Sequence, residues 1–289
     1  IYCYRADLFW KYVDQLVPNP ASGEYYLTDL VEILNGAGHH VEALQIEDAR
    51  EALGINHRIE LADVDRLMRE RKLRELMLSG VTIEKPETVT IDSGVRIGMD
   101  TVVGPFAQIL GNSCIGENCR IGACAIVQDS EVAEETEIHP FTVVNKSRIG
   151  RFVSLGPFSR LRFDNILEDG VHVGNFVELK KAHLGSGTKA NHLAYLGDSS
   201  IGEKVNVGAG TITCNYDGFA KHQTTIGSGA FVGSNSTLIA PVEIGQDSYV
   251  AAGSVITDPV PADALALGRS RQTVKEEWAR KRRALGKKS

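Results

Sequence analysis

Two cations and one histidine raise the chemical question. Arg162 and Lys180 lie eighteen residues apart. If the backbone returns to the same face after that interval, their side chains stack. Two stacked cations suit a phosphate, because each donates charge-assisted hydrogen bonds. Solvated surface charges paired with Glu178 would show the same spacing. His192 follows twelve residues after Lys180, inside the stretch Lys189–Asp198. A neutral imidazole takes a proton from an amine nucleophile near pH 7, although a lone histidine is more often a surface or structural group. Tyr195, Asn206, Asn215 and Tyr216 cluster near it in sequence. Cys214 offers either a nucleophile or a small buried thiol, and direct transfer to an amine needs no covalent intermediate on the enzyme. The other histidines (His39, His40, His57, His139, His172, His183 and His222) have no comparable neighbours in sequence. They include no His-x-x-x-His pair and no spacing that stacks three of them on a metal.

An eighteen-residue return is what the repeat supplies. Aliphatic residues recur at every sixth position through Ile91, Ile97, Val103, Ile109, Ile115, Ile121 and Val127. The register slips by one near Val132 and Ile149, then continues through Leu155, Leu161, Leu167, Val173 and Leu179. Leu184, Leu196, Ile201 and Val207 follow a further slip, and Ile226, Val232, Leu238, Ile244, Val250 and Ile256 close the run. A hexapeptide period marks a parallel β-helix, in which each unit is a short strand and a turn with its aliphatic residue pointing inward. Three units make one triangular coil, so residues 91–258 hold about nine coils. Each coil contacts mainly the coils above and below it. Thr211 to Thr225 carries no beat and reads as a loop thrown out from a corner, the kind of segment that bears function on a rigid scaffold. Flat sides with small side chains predict lateral association, as a trimer with clefts between neighbours.

Upstream the pattern changes. Residues 1–57 read as a small α/β segment. A helix from Ala6 to Val17 stops at Pro18-Asn19-Pro20, a second from Asp29 to Leu34 ends at Gly36 and Gly38, and His40 to Glu47 alternates like a strand. These are too few strands for a sheet of their own. Arg58 to Leu78 predicts a helix with the apolar stripe Leu61, Val64, Leu67, Met68, Leu73, Leu76 and Met77, so residues 58–80 form a helical linker. Residues 81–258 are the β-helix and 259–289 a basic tail. Net charge is −6, yet from Arg269 to Ser289 nine Lys/Arg face two Glu, a local +7 that leaves −13 on the rest. Such an end holds an anionic ligand, a phosphate or a nucleic acid, or is simply solvated. Five cysteines without CxxC spacing indicate neither a disulfide framework nor a zinc site, and a reducing cytoplasm is the default. No apolar run is long enough to span a membrane, and no signal-peptide pattern opens the chain.

Three motifs go beyond periodicity. Gly174-Asn175-Phe176-Val177-Glu178-Leu179-Lys180-Lys181-Ala182 resembles a GNFVE-x-KK-A motif, and Lys189–Asp198 and Gly208–Gly218 match further motifs of the same family. On these residues the chain resembles, over nearly its whole length, the bifunctional bacterial enzymes that are both glucosamine-1-phosphate N-acetyltransferase and N-acetylglucosamine-1-phosphate uridyltransferase. The resemblance implies a mainly β protein, a left-handed parallel β-helix and a homotrimer. It implies acetyl transfer from acetyl-CoA to the amine of glucosamine 1-phosphate, for UDP-N-acetylglucosamine and through it peptidoglycan and lipopolysaccharide synthesis. His192 matches the catalytic base. Arg162, Lys180, Tyr195 and Asn206 match sugar-phosphate ligands, and Ala209, Asn215, Tyr216, Ser234, Ala252 and Arg269 match acetyl-CoA contacts. CoA gives the basic tail an anionic partner, with Gln272-Thr273 and Lys275 to Trp278 closing over the site of a neighbouring subunit. Small molecules, not nucleic acid or membrane, are then the expected partners.

The same resemblance covers the first residues. Asn56, within Gly54-Ile55-Asn56-His57-Arg58, matches a residue that helps hold Mg²⁺ and the uridine-diphosphate sugar. The glycine-rich start and metal-binding aspartate of that half would precede Ile1. Residues 1–57 are therefore expected to be the C-terminal remnant of the uridyltransferase domain, with no uridylyl transfer by this chain alone. Two departures stand out. Phe163-Asp164 replaces a common Pro-Gly after Arg162, and Asn191 replaces a common Gly before the base. Asn tolerates left-handed backbone angles better than most residues, so the turn at 191 is expected to survive. Two other functions fit the same fold: a hexapeptide acyltransferase with another amine or hydroxyl acceptor, and an inactive trimeric scaffold.

Overall fold

A two-residue strand with one inward aliphatic side chain cannot bury that side chain alone; stacking it on copies above and below does. The computed structural model of the chain describes residues 1–286, so residues 287–289 of the basic tail lie outside it. The chain divides into two units, Ile1–Asp65 and Arg66–Ser289.

The second unit is a parallel β-helix. Its first face is an eleven-stranded sheet running from Thr82–Ile83 to Leu265–Ala266. The register puts each inward residue on the next, so Ile138, Leu155, Val173, Ala190 and Val207 form one column. The second and third faces are joined into a seventeen-stranded sheet. Two seven-residue strands make the joint, Glu178–Leu184 and Tyr195–Ile201, which run through a corner that the other coils break at. The sequence beats are the core: Ile109, Ile121, Leu155, Leu161, Leu179 and Leu196 are fully buried, each contributing roughly 1.5–3 kcal/mol. The last coil extends past the final beat at Ile256, and the Gly268 carbonyl accepts the Val255 N–H at 2.9 Å.

Columns of left-handed residues turn the corners. Between the first and second faces stand Phe106, Cys124, Phe141, Phe158, Phe176 and Leu193, with φ between 43° and 61°, and above them Gly210, Asn235 and Gly253. Between the second and third faces stand Asp129, Lys146, Asp164, Lys181 and Asp198. Asp164 is thus an ordinary corner residue, and its N–H donates to the Lys146 carbonyl at 2.8 Å. Asp is among the few side chains that accept this backbone. Asn191 is a correction to expectation. It lies within the strand Lys189–His192 and has no left-handed angle; Leu193 turns that corner.

The interruption at Thr211–Thr225 is shorter than its sequence suggests. Ile212–Cys214 is a strand, and buried Thr213 takes the inward beat in register with Leu238. The Thr213 hydroxyl accepts the Gly197 N–H at 2.8 Å and donates to the Gly197 carbonyl at 3.0 Å, so a polar group is satisfied inside the coil. The loop proper is 215–223.

The first unit holds the helices Ala6–Tyr12 and Asp29–Gly36, with a 3₁₀ turn Val13–Gln15 extending the first. The strand expected over His40–Glu47 does not form. A strand needs a neighbour to pair its backbone groups, and the alternating pattern finds none among the described residues of this unit. The helix Arg58–Leu78 has its expected bounds. Only Leu73 and Leu76 of its stripe are buried, clustering with Val81 and Ile83 at the first coil, while Leu61 and Met68 stay exposed. The Ser79 hydroxyl donates to the Leu76 carbonyl at 2.8 Å, and Gly80 at φ 95° leaves the helix.

Candidate active site

Arg162 and Lys180 stack as their spacing demands. The Arg162 N–H donates to the Leu179 carbonyl at 2.9 Å, so the two side chains leave adjacent rungs of the second face. With Lys181 they surround Phe163, each cation 5.8–5.9 Å from the ring centre. An aromatic face attracts such cations and offsets part of their mutual repulsion. The pairing with Glu178 also exists, at 3.3 Å to Arg162 and 4.0 Å to Arg160. These groups are partly exposed, so the pairs are screened and readily exchanged.

Lys180 differs. It is 4% exposed, and its Nζ donates to Asp198 Oδ2 at 3.2 Å. Asn215 Nδ2 donates to the same oxygen. Gly197 makes this convergence possible, because a Cβ there would collide with the Tyr195 hydroxyl and with Asn215 Nδ2. Lys180, Tyr195 and Asp198, on the two strands that run through the corner, therefore meet Asn215 from the start of the loop.

The loop adds a cation that the sequence pattern does not single out. Asp217 accepts the Ala220 N–H at 2.7 Å and the Phe219 N–H at 2.8 Å, and pairs with His222 Nε2 at 2.7 Å. The Ala220 N–H, then His222 and Phe219, hold this carboxyl far below the usual range. The His222 N–H returns to the Asn215 carbonyl at 2.9 Å, and Tyr216 bridges to Lys221. So closed, the loop sets the Lys221 amine against that of Lys180. Lys180 is held above the ordinary lysine range, first by its hydrogen bond with Lys221 and then by Asp198, against the opposing effect of burial. Lys221 is pushed below that range by Lys180. The buried amine keeps its proton, and an anion bound between the two would favour protonation of Lys221 as well. The signal for Lys221 in the sequence is indirect: an Asp-Gly turn at 217–218 with a histidine five residues after the aspartate. Tyr216 turns back on its own loop, its hydroxyl donating to the Gly218 carbonyl at 2.6 Å.

His192 ends the strand Lys189–His192 on the first face, one corner residue away from Ala194 and Tyr195. Its Nδ1 lies 2.9 Å from Asn175 Oδ1, and the residue is otherwise exposed. Asn206 pairs with Lys189 in the coil above, and His172 pairs with Lys189 in the coil below. Burial, then Lys189, His139 and His192, push the His172 imidazole below its ordinary pKa. The other histidines are thus less isolated than their sequence neighbours suggest. His172 shares the surroundings of His192, and His183 binds Glu168 at 2.8 Å.

Ala209, Ser234 and Ala252 climb the first corner above Leu193. The Gly210 N–H donates to the Leu193 carbonyl at 2.8 Å, Asn235 N–H to Ala209 at 2.7 Å and Gly253 N–H to Ser234 at 2.8 Å. The Arg269 side chain lies against Gly253. Asn56 belongs to the first unit, where its N–H donates to Glu60 Oε2 at 2.7 Å and His57 stands 3.5 Å from Glu60. Among the described residues no three His, Cys, Asp or Glu side chains are grouped to hold a metal. The donors around Asn56 do not fit a Mg²⁺ site within this chain.

A family model described as the GMPPB C-terminal domain matches residues 85–180, and one described as bacterial transferase hexapeptide (six repeats) matches residues 223–258. The "Bifunctional protein GlmU" of Solibacter usitatus is 62% identical over 287 residues, covering 99% of this chain and 62% of that protein. Those of Koribacter versatilis and Fervidobacterium nodosum are 48% and 50% identical, over 100% and 98% of this chain and 61% and 62% of theirs. The chain therefore spans about three fifths of the length of these relatives. Over the residues it has in common with them, the chain is similar to the bifunctional GlmU proteins from end to end.

Proposed function

We propose that the β-helix unit transfers an acetyl group from acetyl-CoA to the amine of glucosamine 1-phosphate. The observation that carries this is the stacking of Arg162 on the buried Lys180 around Phe163, one corner away from the imidazole of His192. The sugar phosphate sits on Arg162, Lys180 and Lys221, and Arg162 exchanges Glu178 for it. Tyr195 and Asn206 orient the sugar from the second and first faces. His192 removes a proton as the amine nitrogen bonds to the thioester carbonyl; the C–S bond then breaks and the CoA sulfur leaves. Asn215 and Tyr216 approach the acetyl end. Ala209, Ser234 and Ala252 leave a low-walled groove for pantetheine, and Arg269 with the basic tail meets the CoA phosphates.

The chain works as a homotrimer in this reading. Phe141, Phe158 and Phe176 stack along the first corner with ring centres 5.0 and 5.7 Å apart, exposed and in a backbone conformation that bulky residues rarely adopt. A second copy covering this ladder would place a cleft beside His192, and the corner's change to Gly210, Asn235 and Gly253 leaves that cleft open above. No helix among the described residues is long and apolar enough to cross a membrane. In a protein of the relatives' full length, residues 1–57 would complete a uridyltransferase domain that converts the product to UDP-N-acetylglucosamine with Mg²⁺. Residues 58–80 would link it to the β-helix of 81–258 and the tail of 259–289.

The test is release of CoA thiol with glucosamine 1-phosphate, against a panel of other amino sugars, sugar phosphates and amino acids. Dependence on that acceptor, lost in His192→Ala with acetyl-CoA binding retained, is the expected result. Equal rates with other acceptors, or an unaffected variant, would overturn it.

A further inference from the structure

First-face strands elsewhere in the β-helix pair over two residues, as in Glu137–Ile138 and Ser154–Leu155. His172–Asn175 and Lys189–His192 are four residues long. The added rung sets Asn175 opposite His192. Glycine at 174 is what permits it, because a Cβ there would run into the backbone carbonyl of Asn191. Just beyond, the Leu193 N–H donates to the Asn175 carbonyl at 3.0 Å, and Phe176 and Leu193 both turn left-handed. Backbone geometry therefore aims the two side chains at each other, and the amide oxygen reaches the ring at 2.9 Å.

A carboxamide oxygen can only accept, and a neutral imidazole has one N–H to give. The partner at one ring nitrogen decides which nitrogen carries the proton. We propose that Asn175 is a positioning residue for the base: its Oδ1 accepts the Nδ1 proton of His192, so the Nε2 lone pair faces the acceptor amine. The role as a positioner rests on His192 acting as the base; the hydrogen-bond assignment does not. This is the base-and-orienter arrangement of nucleophilic enzymes, with a neutral amide in the place where a carboxylate is often found. The amide holds the ring without adding a charge, and when the proton arrives at Nε2 both ring nitrogens have somewhere to donate.

The experiment uses the whole chain labelled with ¹⁵N histidine, with imidazole shifts recorded above the titration of the ring. His192 is expected as the Nδ1-protonated form. Asn175→Leu should return it to a mixture and lower kcat by about 10- to 100-fold, as loss of an orienting partner does, with KM for acetyl-CoA held. Asn175→Asp keeps an acceptor. It should retain the tautomer, recover most of the rate, and move the acid limb of the kcat/KM profile upward by about one pH unit, because a carboxylate favours the imidazolium. A wild-type ring protonated at Nε2 would overturn the assignment. So would a folded Asn175→Leu variant with unchanged tautomer and rate, or an Asn175→Asp variant whose acid limb does not move. If the wild-type tautomer is as stated but the chain acetylates no amine, acetyl transfer and the positioning role fall together, and the hydrogen bond stands.

Discussion

The coils around Ile121 and Leu155 and the coils around Val173 and Leu196 come from one repeat, yet only the second pair makes a site. In the lower coils the strands are short, and the outward positions hold Arg120, Glu137 and Ser154, an ordinary polar wall. In the upper coils the pairing continues past the inward residue. It adds Asn175 opposite His192 on the first face, and Lys180 opposite Gly197 where the second and third faces fuse. Side chains that elsewhere splay apart at a corner are brought into register. A Cβ would be crowded in both extensions, at Gly174 by the Asn191 carbonyl and at Gly197 by the Tyr195 hydroxyl and the Asn215 amide. A β-helix thus turns from wall to site by lengthening its ladders by a few rungs.

Substitutions in the two regions should separate accordingly. The largest expected effect is His192→Ala, with kcat down roughly 10²- to 10⁴-fold and an unchanged melting temperature. Equal losses of rate and stability would erase the distinction. Lys180→Met should cost about 3–5 kcal/mol in denaturant unfolding, because it strands the Asp198 carboxylate, and Asp198→Asn in the same chain should recover part of it. Leu155→Ala, in the wall, should cost about 2–5 kcal/mol while kcat per folded molecule stays near wild type. Gly197→Ala should cost about 1–3 kcal/mol as overpacking and raise KM for the sugar phosphate. The same change at Gly36, which has open space around it, should leave KM alone.

The smallest effect concerns acid. Asp217 ionises more readily in the folded loop than in the unfolded chain, where its pKa is about 3.9, and the Ala220 N–H is the main reason. Its contribution to loop order is therefore complete above that pH and is lost only as pH falls through the lower folded value. The Phe219 and Ala220 amide resonances should hold their positions from neutral pH down to about 4. In Asp217→Asn they should already be displaced at neutral pH. Because the group is exposed, global stability should barely respond.

Much of this was legible in the chain. Inward beats, coil length and the stacking of Arg162 on Lys180 follow from a period of six, since a side chain that recurs once per strand has one column to enter. The helix Arg58–Leu78 follows from its run of strong helix formers, while most of its apolar stripe stays unburied. The strand expected at His40–Glu47 failed because alternation states a preference for pairing and supplies no partner. Thr213 hid the last coil before the loop, since a hydroxyl can fill an inward position once Gly197 bonds it on both sides.

His192 as a candidate base, and the residue set around it, came from the motifs of the sequence. What only the tertiary structure decided is which groups touch: Asn175 on His192, Asp198 shared by Lys180 and Asn215, and Lys221 carried in by a closed loop. Each of these pairs lies a coil or more apart along the chain. Periodicity determines the column a residue joins. Whether two columns meet at a corner depends on how far the backbone ladders run, and the longer pairing around Asn175 and Lys180 is not written in the period of six.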